Sequence, residues 1–157
     1  DHISIEPFER KWISQLNVKY IQQKVEDVDM SLFSNLVASD ILFIDSSHVI
    51  RPDGDVISEI LEILPILKSG VFVHIHDIYT PRDYFDIWKK TEIPDVHYWF
   101  NEQYIVEAFL SFNSKFKIIG NIDYLKENYP DQLLEKCPIS KELSGDHHAN
   151  SLWLRVT

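Results

Sequence analysis

The composition of this chain excludes several classes of protein. Its 157 residues suit a single domain, and 45% hydrophobic with 25% charged residues is ordinary for a globular fold with one core. A formal net charge of -10 argues against nucleic-acid and anionic-membrane partners, because both need clustered lysine and arginine. No apolar run approaches the roughly 18 residues of a membrane span. The single cysteine, Cys137, excludes an internal disulfide framework and favours a cytoplasmic location.

The first third of the chain alternates short strand-like and helix-like patterns. The run DILFID at 40–45 is almost continuously apolar, which predicts a central strand buried on both faces. The apolar spacing before it predicts, in chain order, a strand over 3–6, a helix over 8–16, a strand over 18–25 and a helix over 29–36.

The remaining two thirds continue the alternation. An apolar stripe of period 3.6 predicts a helix over 55–68, which Pro65 kinks and Gly70 ends. Residues 79–104 are irregular and aromatic, with a short helix near 83–90. The other expected elements are a strand over 71–77, a helix over 101–112 capped by Asn101, a strand over 116–120, a helix over 121–137 broken at Pro130, a polar loop over 144–150 and a strand over 151–156.

This alternation predicts an α/β fold with a mainly parallel sheet. Ligands of such sheets bind beyond the carboxyl ends of the strands, so the polar residues there are the candidate site. These residues are Glu6, Asp27, Asp45, Ser46, Ser47, His48, His76 and Asp77.

Two of these strand ends carry a family resemblance. The runs FIDSSH at 43–48 and LPILKSGVFVHIHDI at 64–78 resemble class I S-adenosylmethionine-dependent methyltransferases, in the branch with Asp-x-x-His after strand 4 and His-Asp after strand 5. The resemblance implies one methyltransferase-like domain over 1–157, a Rossmann-like three-layer sandwich. Its sheet order would be 3-2-1-4-5-7-6 with an antiparallel final strand.

One part of that family pattern has no counterpart in the chain. The four glycines form no Gly-x-Gly turn, and nothing here corresponds to the family's first strand, which lies at the centre of the sheet. The chain also begins without methionine, inside an alternating apolar run. We therefore expect the first two strands to be separated from the others by a gap. We further expect residues upstream of Asp1 to supply the glycine-rich strand.

The resemblance also implies a role for each strand-end residue. Glu6 would bind the cofactor ribose hydroxyls, Asp27 would accept from the adenine amino group, and Val28 would lie against the adenine ring. Asp45 would adjoin both the methyl group and the substrate.

On the catalytic side, Asp45, His48 and His76 would be the catalytic residues, with His48 or His76 assisting removal of a proton from the substrate hydroxyl. His76 and Asp77 would also close the crevice. The leading hypothesis is O-methylation of a small-molecule hydroxyl, with a saccharide as one candidate acceptor. The aromatic segment 79–104 would be the substrate lid. The oligomeric state is left open.

Other interpretations remain open. A divalent metal held by Asp45, His76 and Asp77 is not favoured, because imidazole suits Mg²⁺ poorly. A metal-dependent hydrolase would use those three residues with His48. The other alternative, supported by the missing glycine-rich turn, is a truncated, non-catalytic methyltransferase-like binding module. His74 is interpreted as a hydrogen-bonded core histidine, and Glu102 and Glu107 as surface charges.

Overall fold

The computed structural model describes residues 1–88, 99–138 and 150–157, and within them six strands form two sheets. Strands β1 (Ile3–Ile5) and β2 (Lys19–Ile21) make a parallel pair. The second sheet has the order β3-β4-β6-β5. Its members are β3 (Ile41–Ile44), β4 (Phe72–His76), β5 (Phe116–Asn121) and β6 (Ser151–Val156).

The predicted α/β class is confirmed, but the four-stranded sheet is mixed and not mainly parallel, since one of the three pairings among its described strands is parallel. Strands β3 and β4 are parallel, whereas the final strand β6 is antiparallel to both of its neighbours, β4 and β5, as expected of it. The longer helices are α5 (Glu102–Leu110), α6 (Ile122–Asn128) and α7 (Pro130–Lys136), and the shorter ones are α1 (Ser31–Ser34) and α4 (Tyr84–Trp88). Among the described helices, none is long and apolar enough to cross a membrane.

The connection between β3 and β4 contains one continuous helical segment in three parts, which begins after the loop of residues 45–54. Helix α2 (Asp55–Ser58) passes into a π-helical turn (Glu59–Ile63) and then into α3 (Leu64–Ile66). The wide turn ends two residues before Pro65. Proline has no N–H to donate, and its ring clashes with the carbonyl of the preceding turn in a regular α-helix. The segment's apolar side is buried against the sheet: Val56, Ile60, Ile63, Leu64 and Leu67.

Gly70 sets the turn from this segment into β4. Its φ of +87° lies in the left-handed region, and an added Cβ would come within 2.5 Å of the Ala38 Cβ. A side chain is therefore excluded by backbone conformation and by space alike.

The expectation that residues 40–45 are buried on both faces is wrong. One face of β3 enters the core through Ile44, but Ile41 and Phe43 on the other face are 57% and 54% exposed. Strand β3 lies at the end of the four-stranded sheet, with β4 as its one neighbour among the described strands. The same outward face continues on β4 and β6 with half-buried His74 and Trp153.

Two further expectations near the N-terminus are corrected. The predicted helix over 8–16 is reduced to the 3₁₀ turn Ile13–Gln15, and three of its apolar side chains, Phe8, Trp12 and Leu16, are exposed. Without burial, helical spacing alone does not stabilise so short a helix. The strand predicted over 18–25 extends only over Lys19–Ile21. Residues 89–98 of the expected lid, and 144–149 of the polar loop, lie outside the described residues.

Candidate functional site

Four polar side chains meet at the carboxyl ends of β3 and β4. Asp45 Oδ1 lies 3.3 Å from His48 Nε2 and 3.5 Å from His76 Nδ1. The two carboxylate oxygens of Asp77 lie 3.7 Å from His48 Nε2 and 3.4 Å from His76 Nδ1. Asp45 and His48 lie in the loop after β3, His76 is the last residue of β4 and Asp77 follows it, so the parallel pairing of β3 with β4 brings the two sequence motifs together.

The first turn of α5 holds the backbone of His48 in an uncommon conformation. His48 has a φ of 58°, in the left-handed region, and its carbonyl accepts hydrogen bonds from the N–H groups of Asn101 (2.9 Å) and Glu102 (3.2 Å). Asn101 was predicted to cap the helix, but its side chain makes no capping hydrogen bond. Its Oδ1 instead accepts from the N–H of Ile50 at 2.5 Å. The contacts fix the loop that carries His48 against the helix.

Glu102 is the main functional candidate that the sequence interpretation missed, since the expectation of a surface charge is wrong. Its side chain is 0% exposed, and its Oε2 lies 2.7 Å from His48 Nδ1. Burial raises the pKa of Glu102, while the hydrogen bond with His48 opposes that rise. A usable signal existed: Glu102 lies one helical turn before Val106, on the face of α5 that is buried.

The His48 imidazole is almost fully buried. Its ring centroid lies 4.5 Å from that of Phe100. Burial lowers the pKa of His48, but the hydrogen bond to Glu102 and the charges of Glu102, Asp77 and Asp45 outweigh it, so the net shift is upward.

The two serines of the DSSH motif anchor the loop to the following helical segment. Ser46 Oγ donates to Glu59 Oε2 at 2.7 Å, and Ser47 donates to Asp55 through its N–H (2.9 Å) and Oγ (2.7 Å). Glu59 is only 6% exposed, and burial, reinforced by the charges of Glu102 and Asp55, raises its pKa to about 8. The motif thus positions His48 from one side while α5 positions it from the other.

Asp77 is held by residues from the end of the chain and from the aromatic segment. Its φ is 53°, its N–H donates to the Asn150 carbonyl at 2.7 Å, and Asn150 Nδ2 lies 3.2 Å from its Oδ1. The buried Tyr84 donates from its hydroxyl to the Asp77 carbonyl at 3.1 Å. In its described part, therefore, the segment expected to form a lid supports the floor of the crevice. Asn150 gave no sequence signal.

His74 belongs to the outward face of the sheet and not to this crevice. Its ring stacks on that of Trp153 at 4.3 Å and lies 4.8 Å from that of Phe43. Burial lowers its pKa, and among the described residues its Nε2 has no hydrogen-bond partner. His74 is thus packed between rings, without the hydrogen bond expected of it.

The predicted cofactor residues other than Asp45 lie after the two strands of the smaller sheet. The Glu6 carboxylate, after β1, accepts from the Phe8 N–H at 2.9 Å and lies 3.5 Å from Arg10 Nε. Asp27 is exposed at the end of the 3₁₀ turn Val25–Asp27, and Val28 is buried in the core.

Three residues of the crevice form a group that could hold a metal ion. One ligand atom each from Asp45, His48 and His76 lies within 4.8 Å of the others. The 3.3 and 3.5 Å separations from Asp45 approximate the edges of a tetrahedron with bonds of about 2.0–2.1 Å, as around zinc. Two imidazoles and a carboxylate fit a transition-metal ion better than Mg²⁺. This group differs from the predicted set in having His48 in place of Asp77.

The chain matches no protein-family model, no curated protein and no solved structure.

Proposed function

We propose that this protein is an S-adenosylmethionine-dependent methyltransferase that acts on a hydroxyl group of a small molecule. The observation that carries the proposal is the position of His48 Nε2, at 3.3 Å from Asp45 and 3.7 Å from Asp77, at the carboxyl ends of β3 and β4. That end of the strands is where α/β sheets bind ligands. The arrangement suits removal of a proton from a substrate oxygen.

The strand order gives independent support. The order β3-β4-β6-β5, with β6 antiparallel, corresponds to positions 4-5-7-6 of the Rossmann-like methyltransferase sheet. The parallel pair of β1 and β2 corresponds to positions 2 and 3. In that family the first, glycine-rich strand lies between positions 2 and 4, and the strands assigned here to those positions belong to two separate sheets.

The proposed chemistry assigns the proton to His48. When bound, S-adenosylmethionine supplies an electrophilic methyl group. Asp45 and His76 would orient the substrate hydroxyl and His48 Nε2 would take its proton, while the methyl group passes from the sulfonium sulfur to the oxygen and the cofactor leaves as S-adenosylhomocysteine. Glu6, Asp27 and Val28 are the proposed contacts to the ribose and the adenine. Of these, Glu6 would exchange its partly exposed ion pair with Arg10 for hydrogen bonds from the ribose hydroxyls.

Calorimetric titration with S-adenosylhomocysteine tests the cofactor. The 157-residue chain and any longer product of its gene should each be titrated, together with the variants Glu6→Gln and Glu9→Gln. We expect at least one wild-type form to bind, Glu6→Gln to weaken binding at least tenfold, and the neighbouring exposed Glu9→Gln to leave it unchanged. No heat of binding from any form would defeat the methyltransferase proposal.

A non-catalytic binding module is the outcome that such a failure would favour. It draws support from the sequence, which contains no Gly-x-Gly turn, and from the separation of the described strands into two sheets.

A metal-dependent hydrolase is the second candidate, favoured by the compact group of Asp45, His48 and His76. These residues would hold a transition-metal ion, with Asp77 beside both imidazoles. The ion would supply Lewis acidity and lower the pKa of a bound water. Elemental analysis and zinc titration of His76→Ala, with His74→Ala on the same strand as the control, test the site. Absence of bound metal, together with equal zinc titrations for the two variants, would exclude it.

A further inference from the structure

We infer that Glu102 is the positioning residue for His48, holding its ring in the tautomer that carries the proton on Nδ1 and presents the Nε2 lone pair to the crevice. The inference rests on the proposed function in one respect, since it explains which nitrogen of the candidate base, His48, faces the substrate. The contacts that fix the His48 ring do not involve any cofactor.

The environment of the Glu102 carboxylate is the first observation. The side chain is completely buried, Oε2 lies 2.7 Å from His48 Nδ1, and Oε1 has no hydrogen-bond partner among the described residues. A buried carboxylate with one unsatisfied oxygen is a costly way to stabilise a fold. The group it serves in the described structure is the imidazole of the candidate base.

The second observation is that the same helical turn fixes both the backbone and the ring of His48. The N–H groups of Asn101 and Glu102 donate to the His48 carbonyl, and the ring lies against Phe100. With Nδ1 directed at Glu102, the opposite nitrogen, Nε2, points to Asp45 and Asp77. A rotation of the ring would break the contact of Nδ1 with the buried carboxylate.

The tautomer follows from donor and acceptor chemistry when Glu102 is ionised. An ionised carboxylate can only accept, so the hydrogen bond of 2.7 Å then has its proton on Nδ1. In the neutral ring the lone pair is then on Nε2. The same tautomer suits Nε2 for a metal ion, because a carboxylate on the far nitrogen orients metal-binding histidines in the same way.

Nitrogen NMR of the imidazoles tests the inference without substrate or cofactor. Long-range ¹H–¹⁵N spectra of the wild-type chain would be recorded over a pH range that includes the neutral ring, and His48→Gln would assign the His48 signals. We expect a protonated Nδ1 and a lone-pair Nε2. A neutral wild-type His48 that carries its proton on Nε2 would overturn the inference, whatever the variants do.

The variant Glu102→Gln sharpens the same test. An amide donates as well as accepts, so Nδ1 would no longer be held as the protonated nitrogen, and the Nε2–H form should grow. Glu107→Gln is the matched control, because Glu107 lies on the same helix and bonds Gln103 at 3.0 Å. If Glu102→Gln folds and keeps the wild-type pattern, Glu102 does not set the tautomer. If it fails to fold, the wild-type spectrum decides.

Activity gives a second readout once an acceptor is found. Glu102→Gln should lower kcat about 100-fold, the lower range for general-base catalysis, with KM for the cofactor nearly unchanged. An unchanged kcat would overturn the positioning role. The nitrogen spectra need no turnover, so the two proposals can fail separately. A chain that does not bind S-adenosylhomocysteine can still have the proton of His48 on Nδ1, and a chain that binds the cofactor product can have it on Nε2.

Discussion

Replacing Glu59 by glutamine should stabilise the protein at neutral pH and flatten its stability between pH 5 and pH 8. In the folded state the pKa of Glu59 is raised from its ordinary 4.5 to about 8, because the side chain is buried near Glu102 and Asp55. Between these two values the folded chain keeps a proton that the unfolded chain releases. Stability therefore falls as pH rises, by about 1.4 kcal/mol per pH unit from this group.

The size of the effect follows from the interval. Glu59 lowers the free energy of unfolding by under about 1 kcal/mol at pH 5 and by roughly 3 kcal/mol at pH 7. Glutamine carries no charge and retains an oxygen that can accept from Ser46 Oγ, which donates to Glu59 at 2.7 Å. We expect Glu59→Gln and the wild type to differ little at pH 5, and the variant to lead by roughly 3 kcal/mol at pH 7.

Urea denaturation followed by circular dichroism, at pH 5, 6, 7 and 8, measures the difference directly. Taking the variant minus the wild type cancels the titration of groups unaffected by the substitution. Glu62→Gln is the control, since Glu62 is exposed on the same helical segment. A difference that does not grow with pH, or a variant less stable than the wild type at pH 8, would refute the reasoning.

Three further predictions concern the scaffold. Gly70→Ala should lose about 2 kcal/mol or more, because it combines a φ of +87° with a Cβ contact of 2.5 Å to Ala38; thermal denaturation beside Gly120→Ala, where the nearest contact is 3.6 Å, checks it. Arg82→Ala should lower the free energy of unfolding by about 3 kcal/mol, because it leaves the buried Asp123 without its ion pair. Arg51→Ala, which breaks a more exposed pair with Asp55, should lower it by under about 1 kcal/mol. Equal losses in urea denaturation would contradict this. His74→Phe should remove part of the loss of stability on acidification below about pH 6.5, since burial lowers the pKa of His74 and the unfolded chain then binds the proton more readily; unchanged acid sensitivity of the variant would count against that account.

Local patterns in the sequence predicted much of the fold. The runs at 43–48 and 71–77 each contain both a strand and the polar residues that end it, so the neighbourhood of Asp45, His48, His76 and Asp77 follows once the two strands pair. By contrast, the apolar run of β3 contains no information on whether a further strand or layer covers it, and the exposure of Phe43 could not be predicted from it.

Helical spacing could indicate that Glu102 lies on the buried face of α5, but the pairings that complete the site could not be predicted, for a different reason. Glu102 is 54 residues from His48 along the chain, and Asn150 is 73 residues from Asp77. Contacts of that separation are set by how the helices and strands pack, and no local periodicity encodes them. The helix expected over 8–16 failed because periodic apolar residues stabilise a helix only when a surface exists to bury them.

The left-handed backbone at His48 and Asp77 has a consequence for how the crevice should be dissected. Both residues adopt conformations that asparagine and glycine accept more readily than alanine does. An alanine variant at either position combines the loss of a functional group with added backbone strain. An asparagine variant removes the functional group and tolerates the left-handed backbone. Glycine at either position would relieve stored strain while erasing the site. At these two positions the residue that gives the highest stability and the residue that gives the highest activity are therefore different.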